Sequence, residues 1–329
     1  MRDLRRMVEI PQKTAVSVEA IRYQPEYRDM WDTFISMSKN GTFLFYRDYM
    51  EYHADRFIDH SICFFCDRDP IAVMPANEEG DVLISHAGLT FGGIISDMRM
   101  GTALMLEIFS SLRRYMRNKG FRKLIYKAVP HIYHRVPSEE DLYALFYHGA
   151  RLTRRDVSSA IYLQEEVHLA KGRRYCLKKA KKHGVYVERS WDFHTFMEIE
   201  ENLLKEKYGT SPTHTADEIL LLARRFPENI KLFGAYRGGR MVGGVIVYES
   251  AVVAHLQYIA TTEEGRTVGA LEAIVGFLIE SYRGKTRYLD FGISTEDGGW
   301  YLNTGLVWNK ESYGARSVVH DFYEWDVSR

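Results

Sequence analysis

The chain has 329 residues, and 44 Lys and Arg are balanced by 44 Asp and Glu, so its formal net charge is zero. With 46% hydrophobic and 27% charged residues it is neither a disordered nor a fibrous chain. Zero net charge also argues against a surface that binds nucleic acid or an anionic membrane as a whole, although local basic sites remain open. At roughly 100–200 residues per domain, the length suggests two domains. Three Cys cannot make a disulfide framework, and Met1–Val18 has no apolar core of signal-peptide length. Together these features point to a cytoplasmic protein, with a peripheral place at the inner membrane face as the further option. No stretch approaches the ~18 uncharged apolar residues of a membrane span.

In chain order, 61–66 and 71–75 read as strands around the polar break Asp67-Arg68-Asp69-Pro70. A third strand, 81–86, leads into a loop carrying Gly88, Gly92 and Gly93. A helix over 100–118 has Leu104, Ile108, Leu112 and Tyr115 on one face and is stopped by Gly120. Residues 123–128 form a strand. Ser138 is the expected N-cap of a helix with an acidic first turn that ends at Gly149. A strand follows at 158–163. The second half begins with a basic segment, 171–182, and a helical segment over 191–225. Gly238-Gly239 is a strong hairpin signal between strands 231–236 and 241–247. Strand 252–259, a polar loop over 261–266 and a helix over 268–282 come next. Strand 287–291, a helix over 301–313 and strand 317–325 complete the chain.

The two halves thus repeat one order: strand hairpin, strand, loop, helix, strand, helix, strand. Two sequence echoes support the repeat. Gly149-Ala150-Arg151 returns as Gly314-Ala315-Arg316, 165 residues later. Arg99–Leu104 is echoed more loosely by Arg266–Leu271, 167 residues later. The expected architecture is two copies of a mixed α/β domain, 1–166 and 167–329.

A strand feeding a loop and then a helix N-terminus is an anion site, because the first helical N–H groups have no internal partner. The unit 252–282 has that form. Gly265 and Gly269 would let the backbone approach a ligand, and Arg266 would supply charge. Arg266-x-x-Gly269-Ala270 resembles the phosphate-binding loop of GNAT acetyltransferases, where Arg/Gln-x-x-Gly-x-Gly/Ala cradles the coenzyme A pyrophosphate. Here the sixth position is Leu271 and the small residue falls one place earlier. Further on, Leu289-Asp290-Phe291-Gly292, Leu302-Asn303-x-Gly305-Leu306 and Trp308-x-Lys310-Glu311-x-Tyr313-Gly314 resemble the end of FemABX-like transferases. Arg174-x-x-x-Lys178-Lys179-Ala180-x-Lys182-x-Gly184 is similar to the basic helix midway along that family. In the first half, the run from Arg47 to Phe57 and the run from Ser85 to Gly93 resemble a GNAT-type subgroup linked to surface-polysaccharide synthesis.

The resemblance implies two tandem GNAT-like domains and acyl transfer to an amine. The donor would be acetyl-CoA or another acyl-CoA, held in the splay between strands 252–259 and 287–291. The acceptor would be a small-molecule or lipid-linked sugar. An aminoacyl-tRNA donor with a peptidoglycan precursor as acceptor is the alternative. A non-catalytic binding module that keeps the duplicated fold is a third reading.

The resemblance places Lys310 near the donor carbonyl, where an ammonium could stabilise the oxyanion. Asp290 would act as a base or anchor its loop. His255 and Gln257 share a strand face; His255 could polarise the carbonyl or relay a proton, and Gln257 would join Gly265, Arg266, Gly269 and Ala270 in holding the donor. Asn303 is a polar candidate in the terminal motif. His53, Arg56 and His86 could line an acceptor cleft, or be structural with Arg56 paired to Asp55 or Asp59. Seven of the twelve positions from Lys171 to Lys182 are basic; Arg174 and Lys178 on that segment could bind phosphate, a solvated helix face being the plain alternative. No metal site is expected, since no His or Cys spacing supports one. Cys63 and Cys66 fall on opposite faces of a strand and read as core residues.

Overall fold

A computed structural model describes residues 17–328. The segment read above for a targeting signal therefore lies almost wholly outside the described residues. The first half contains β1 (Val18–Arg22), α1 (Arg28–Met37), α2 (Arg47–Met50), β2 (Ile58–Asp59), β3 (Ile62–Cys66), β4 (Asp69–Met74), β5 (Asn77–Glu79), β6 (Val82–Ile84) and β7 (Ile95–Ser96). It ends with α3 (Thr102–Lys119), β8 (Lys123–Lys127), α4 (Glu140–Tyr147) and β9 (Arg151–Tyr162). The second half contains α5 (Lys171–Lys182), β10 (Tyr186–Ser190), α6 (Phe193–Tyr208), α7 (Ala216–Arg225), β11 (Ile230–Arg237), β12 (Arg240–Glu249), β13 (Val253–Thr261) and α8 (Glu263–Val268). It closes with α9 (Ala270–Tyr282), β14 (Tyr288–Ile293), β15 (Thr295–Glu296), β16 (Tyr301–Leu302), α10 (Thr304–Glu311) and β17 (Arg316–Asp326).

The closer of the two sequence echoes marks equivalent turns. Gly149 and Gly314 both have positive φ, at 77° and 92°, and each is followed within two residues by a long strand, β9 or β17. Glycine adopts that conformation without the Cβ clash other residues meet. Gly101 and Gly269 stand at the N-caps of α3 and α9. Gly238 and Gly239, both at positive φ, turn β11 into β12 as the hairpin signal required.

Three readings are corrected. Glu139, not Ser138, is the N-cap of α4 and makes no side-chain cap, while Ser138 is buried. The expected polar loop at 261–266 is largely helical: Thr262 caps α8 by accepting from Gly265 N, and Glu263 and Glu264 make an acidic first turn. Strand β9 begins seven residues earlier than expected, because its polar start is paired with β17 and held by Arg155–Asp321.

Eleven strands form one sheet in the order β10-β11-β12-β13-β14-β9-β17-β8-β6-β5-β2, and β1-β3-β4-β7 form a second. The centre of the large sheet is an exchange. β9, the last strand of the first half, pairs with β14 of the second; β17, the last strand of the second, pairs with β8 of the first. β9 and β17 pair antiparallel with each other along most of their length. The halves also share a core: Trp31, Phe45 and Phe91 belong to the same buried cluster as Phe196, Ile246 and Val253. On the other face of the second-half sheet, Ile274, Val275 and Leu278 of α9 pack on Val245, Leu256 and Leu289. Each such side chain contributes roughly 1.5–3 kcal/mol on burial.

Candidate active site

Two departures from regular pairing open the site. β13 and β14 are parallel neighbours for only three residue pairs, Val253–Tyr288 to His255–Asp290, and then diverge. β13 is also bulged: Ile246 opposes Tyr258 and Val247 opposes Leu256, so Gln257 has no partner residue on β12. A bulge re-aims side chains and leaves main-chain polar groups outside the ladder.

Asp290, fully buried, sits where the strands part. Its Oδ2 is 2.8 Å from His255 Nδ1 and accepts from the Tyr133 hydroxyl at 2.9 Å. Its Oδ1 accepts from Ser158 Oγ at 2.6 Å and from Gly292 N at 3.1 Å. Burial pushes the carboxyl up, but the hydrogen bond and charge of His255, aided by His320 and Ser158, outweigh it. The carboxyl is held well below the usual carboxylate range. An ionised Asp290 fixes the tautomer of His255, with Nδ1–H donating to it and Nε2 left as an acceptor. At Gly292 a Cβ would stand 3.3 Å from His255 Cε1, so glycine leaves the ring its place.

Two cavities adjoin Phe291, the residue after Asp290. A groove of about 610 Å³ runs between the diverging strands, lined by Ile259, Thr261, Arg266, Phe291, Lys310 and Tyr313 among others. A second cavity, about 430 Å³, lies between the halves and is lined by Thr90, Lys127, Arg154, His255, Gln257 and His320. Phe291 borders both.

Of the residues singled out from sequence, His255, Asp290, Gln257, Lys310, Arg266 and Asn303 are brought to this region. Lys310 does not have the free ammonium that an oxyanion role needs. Its Nζ donates to Gly292 O, Ile293 O and Ser294 Oγ, each at 2.8 Å, so all its protons are taken. Burial draws it down to about 8. Lys310 anchors the loop that follows Asp290. Asn303 uses its carbonyl to cap α10, accepting from Leu306 N at 3.0 Å.

The glycines do not open the backbone to a ligand. A Cβ at Gly265 would meet Val242 O at 2.0 Å, and one at Gly269 would meet Cys176 O at 2.8 Å. Both are needed for close packing inside the protein, and their N–H groups bond to Thr262 Oγ1 and Gly265 O. Ala270 is likewise buried. Positive charge in the groove comes instead from side chains: Arg266, Lys207 and Arg173. Arg174 and Lys178 lie on the exposed face of α5, while Arg173, one residue before Arg174, turns into the groove. There it pairs with Glu272 at 2.5 Å and lies 4.2 Å over the Tyr313 ring.

His53, Arg56 and His86 line neither cavity. His53 and His86 are buried against each other and Phe57, and burial draws them down to about 4 and about 3. They are neutral interior groups. Arg56 pairs with Glu218 of α7, not with Asp55 or Asp59; Asp59 pairs with Arg47. Among the described residues, no group of His, Cys, Asp and Glu could hold a metal ion.

Sequence reasoning missed Tyr133, Ser158, His320, Arg173 and Glu200. Glu200 on α6 lines the groove with its Oε2 buried and unpartnered. The one legible signal for Arg173 was the basic run itself.

The first-half counterpart of this centre is apolar. There β6 and β8 are the parallel pair, and Ile84 stands opposite Ile125 as His255 stands opposite Asp290.

Residues 169–298 match the model of an acetyltransferase (GNAT) domain family. The chain has no match among curated proteins. Among solved structures, FemX superposes with a TM-score of 0.67 at 11% identity, over 94% of this chain and 97% of FemX. A conserved protein of unknown function from Bacteroides thetaiotaomicron gives 0.60 at 11% identity, over 93% and 99%. L-PGS from Bacillus licheniformis gives 0.58 at 12% identity, over 94% and 93%. The chain therefore has the fold of FemX over nearly its whole length, and residues 169–298 of its second half match the GNAT domain model.

Proposed function

We propose that the protein is an acyltransferase that moves an acyl group, most simply acetyl from acetyl-CoA, to an amino group of a cell-surface polysaccharide or cell-wall precursor. The observation that carries this reading is the His255–Asp290 pair, with His255 on the wall of the inter-half cavity and Phe291, the residue after Asp290, bordering both that cavity and the groove. The donor lies in the groove, with its phosphates towards Arg266, Lys207 and Arg173. The acceptor amine enters from the cavity between the halves.

In the reaction the amine nitrogen attacks the thioester carbonyl carbon. His255 Nε2 takes the amine proton as the C–N bond forms, and Asp290 balances the charge on the ring. Main-chain groups at the Gln257 bulge are suited to the oxyanion, being outside the β12 ladder. When the carbonyl re-forms, the C–S bond breaks and the imidazolium returns its proton to the thiolate. Lys310 and Ser294 hold the loop that positions Asp290.

One observation favours a second donor. Lys171, Arg174, Lys178, Lys181 and Lys182 are all exposed on α5, next to Arg173 at the groove. Such a face suits a polyanion, and an aminoacyl-tRNA would use it.

Acetyl-CoA is expected to raise the melting temperature, and His255→Ala to lower turnover by roughly 10²–10⁴-fold with the fold intact. The absence of a shift with any acyl-CoA at millimolar concentration removes the thioester donor. Binding of charged tRNA that weakens steeply with salt favours the second donor. No transfer across a panel of donors and amines supports a non-catalytic binding module.

A further inference from the structure

The cavity between the halves has a chemical bias that the proposed step leaves unused. Its polar lining is rich in hydrogen-bond donors and cations: Lys127, Arg154, Gln257, His255 and His320. Among the described residues a single carboxylate lines it, Asp156, and both of its oxygens are engaged. Oδ2 accepts from Arg154 at 2.8–2.9 Å, and Oδ1 accepts from Thr295 Oγ1 at 2.8 Å.

His320 is 4% exposed, yet its Nε2 is buried without a hydrogen-bond partner. A bare polar atom of this kind is costly to maintain unless a ligand completes it. Arg154 lies across the strand pair, its guanidinium 4.5 Å over the Phe322 ring and its side chain 41% exposed. Asp156 occupies one edge of that fork and the remaining N–H groups are left to the cavity. A guanidinium stacked on a ring and fixed on one edge is preorganised to bind a second carboxylate. Lys127 donates to the main-chain oxygens of His86, Ala87 and Leu89, so it offers charge rather than a free N–H. With Arg154 balanced by Asp156, and the ionised Asp290 behind His255 set against Lys127, the cavity is close to neutral overall, so a carboxylate monoanion held by directed N–H donors suits it better than a phosphate dianion.

We propose that this cavity is a carboxylate site, bound by Arg154 and His320, so that the amine acceptor is an amino compound that also carries an acid group. The inference rests on the assignment of the acceptor to this cavity. At about 430 Å³ the space takes a monosaccharide-sized or amino-acid-sized group.

The test is titration calorimetry on the full chain with matched pairs of probes. 2-Amino-2-deoxyglucuronic acid is compared with glucosamine, and alanine with alaninamide. The expected result is at least tenfold tighter binding of the acid in one pair, which also identifies sugar acid or amino acid as the source. Arg154→Gln is expected to abolish that preference, while Arg154→Lys retains part of it. His320→Gln, which keeps a hydrogen-bonding side chain, is expected to retain more affinity than His320→Phe. Equal binding of acid and neutral partner in both pairs, or no binding of either acid at millimolar concentration, overturns the inference. So does an acid preference that survives Arg154→Gln. A melting shift with acetyl-CoA beside equal binding of the pairs removes the carboxylate site alone. An acid preference beside no acyl-CoA effect removes the thioester donor and keeps the site.

Discussion

Glu200 gives the sharpest quantitative test of the groove. It is 7% exposed, its Oε2 has no partner, and burial pushes its carboxyl from 4.5 up to about 7. In the unfolded chain the group titrates near its ordinary value. A carboxyl raised on folding favours the folded state fully below about 4.5, and that contribution is lost as pH rises through about 7. Raising the group by about 2.5 pH units at ~1.4 kcal/mol each amounts to about 3.5 kcal/mol over the whole titration. Glu200→Gln removes the titration and keeps the side-chain volume. The assay is urea unfolding of wild type and variant at pH 5 and pH 8. At pH 5 the unfolded group is already mostly ionised, so the wild type is expected to lose about 2.5 kcal/mol more than the variant between the two pH values. Other groups that titrate in the interval, such as Asp141 at about 6, are common to both proteins and cancel in the difference. Parallel pH dependence in the two proteins refutes the argument, because it means that Glu200 is solvated or paired in solution.

Two further outcomes are expected. A fragment of residues 167–329 lacks β9, the partner of both β14 and β17; it should fail to give a cooperative melt, and fusing Arg151–Tyr162 to it should restore one, so a fragment that melts cooperatively alone refutes the exchange. Lys310→Met keeps the aliphatic stem and removes three hydrogen bonds to the 292–294 loop; it should lower stability by a few kcal/mol, and an unchanged urea midpoint at pH 7 refutes its anchoring role.

What could be read from the sequence followed from how local the cause was. Gly238-Gly239, Gly120 and the Gly149/Gly314 pair act within a few residues, and each marks a boundary where expected. His255 and Asp290 were also legible, since both belong to strand patterns. Their meeting is a register fact between strands 35 residues apart. Tyr133 and Ser158 reach the same carboxylate from 157 and 132 residues away, and no local pattern encodes that. The polar start of β9, Arg151-Leu152-Thr153-Arg154-Arg155-Asp156, looked unlike a strand because its cross-strand partners, such as Asp321 for Arg155, lie in the other half. The glycines near Arg266 had the right spacing for an open loop. Their neighbours, Val242 O and Cys176 O, could be known only from the fold.

The exchange explains how two unequal halves make one site. An unexchanged duplication would leave each half with its own terminal strand, and the apolar Ile84–Ile125 position would be a second, silent copy of the centre. Here β9 is laid against β14, so Ser158 of the first half reaches Asp290 of the second. Tyr133 reaches it from the loop before α4. β17 in turn carries His320 to the lining of the cavity that His255 also borders, and Thr90 and Lys127 of the first half join them there. The first half has no ionisable pair at its own strand divergence, yet it supplies two of the hydrogen bonds that hold Asp290. The zero net charge of the chain conceals the same division of labour. Basic side chains collect on α5 and along the groove, and the carboxylates that would repel an anionic ligand are either paired, as Glu272 and Asp156 are, or pushed towards neutrality by burial, as Glu200 is.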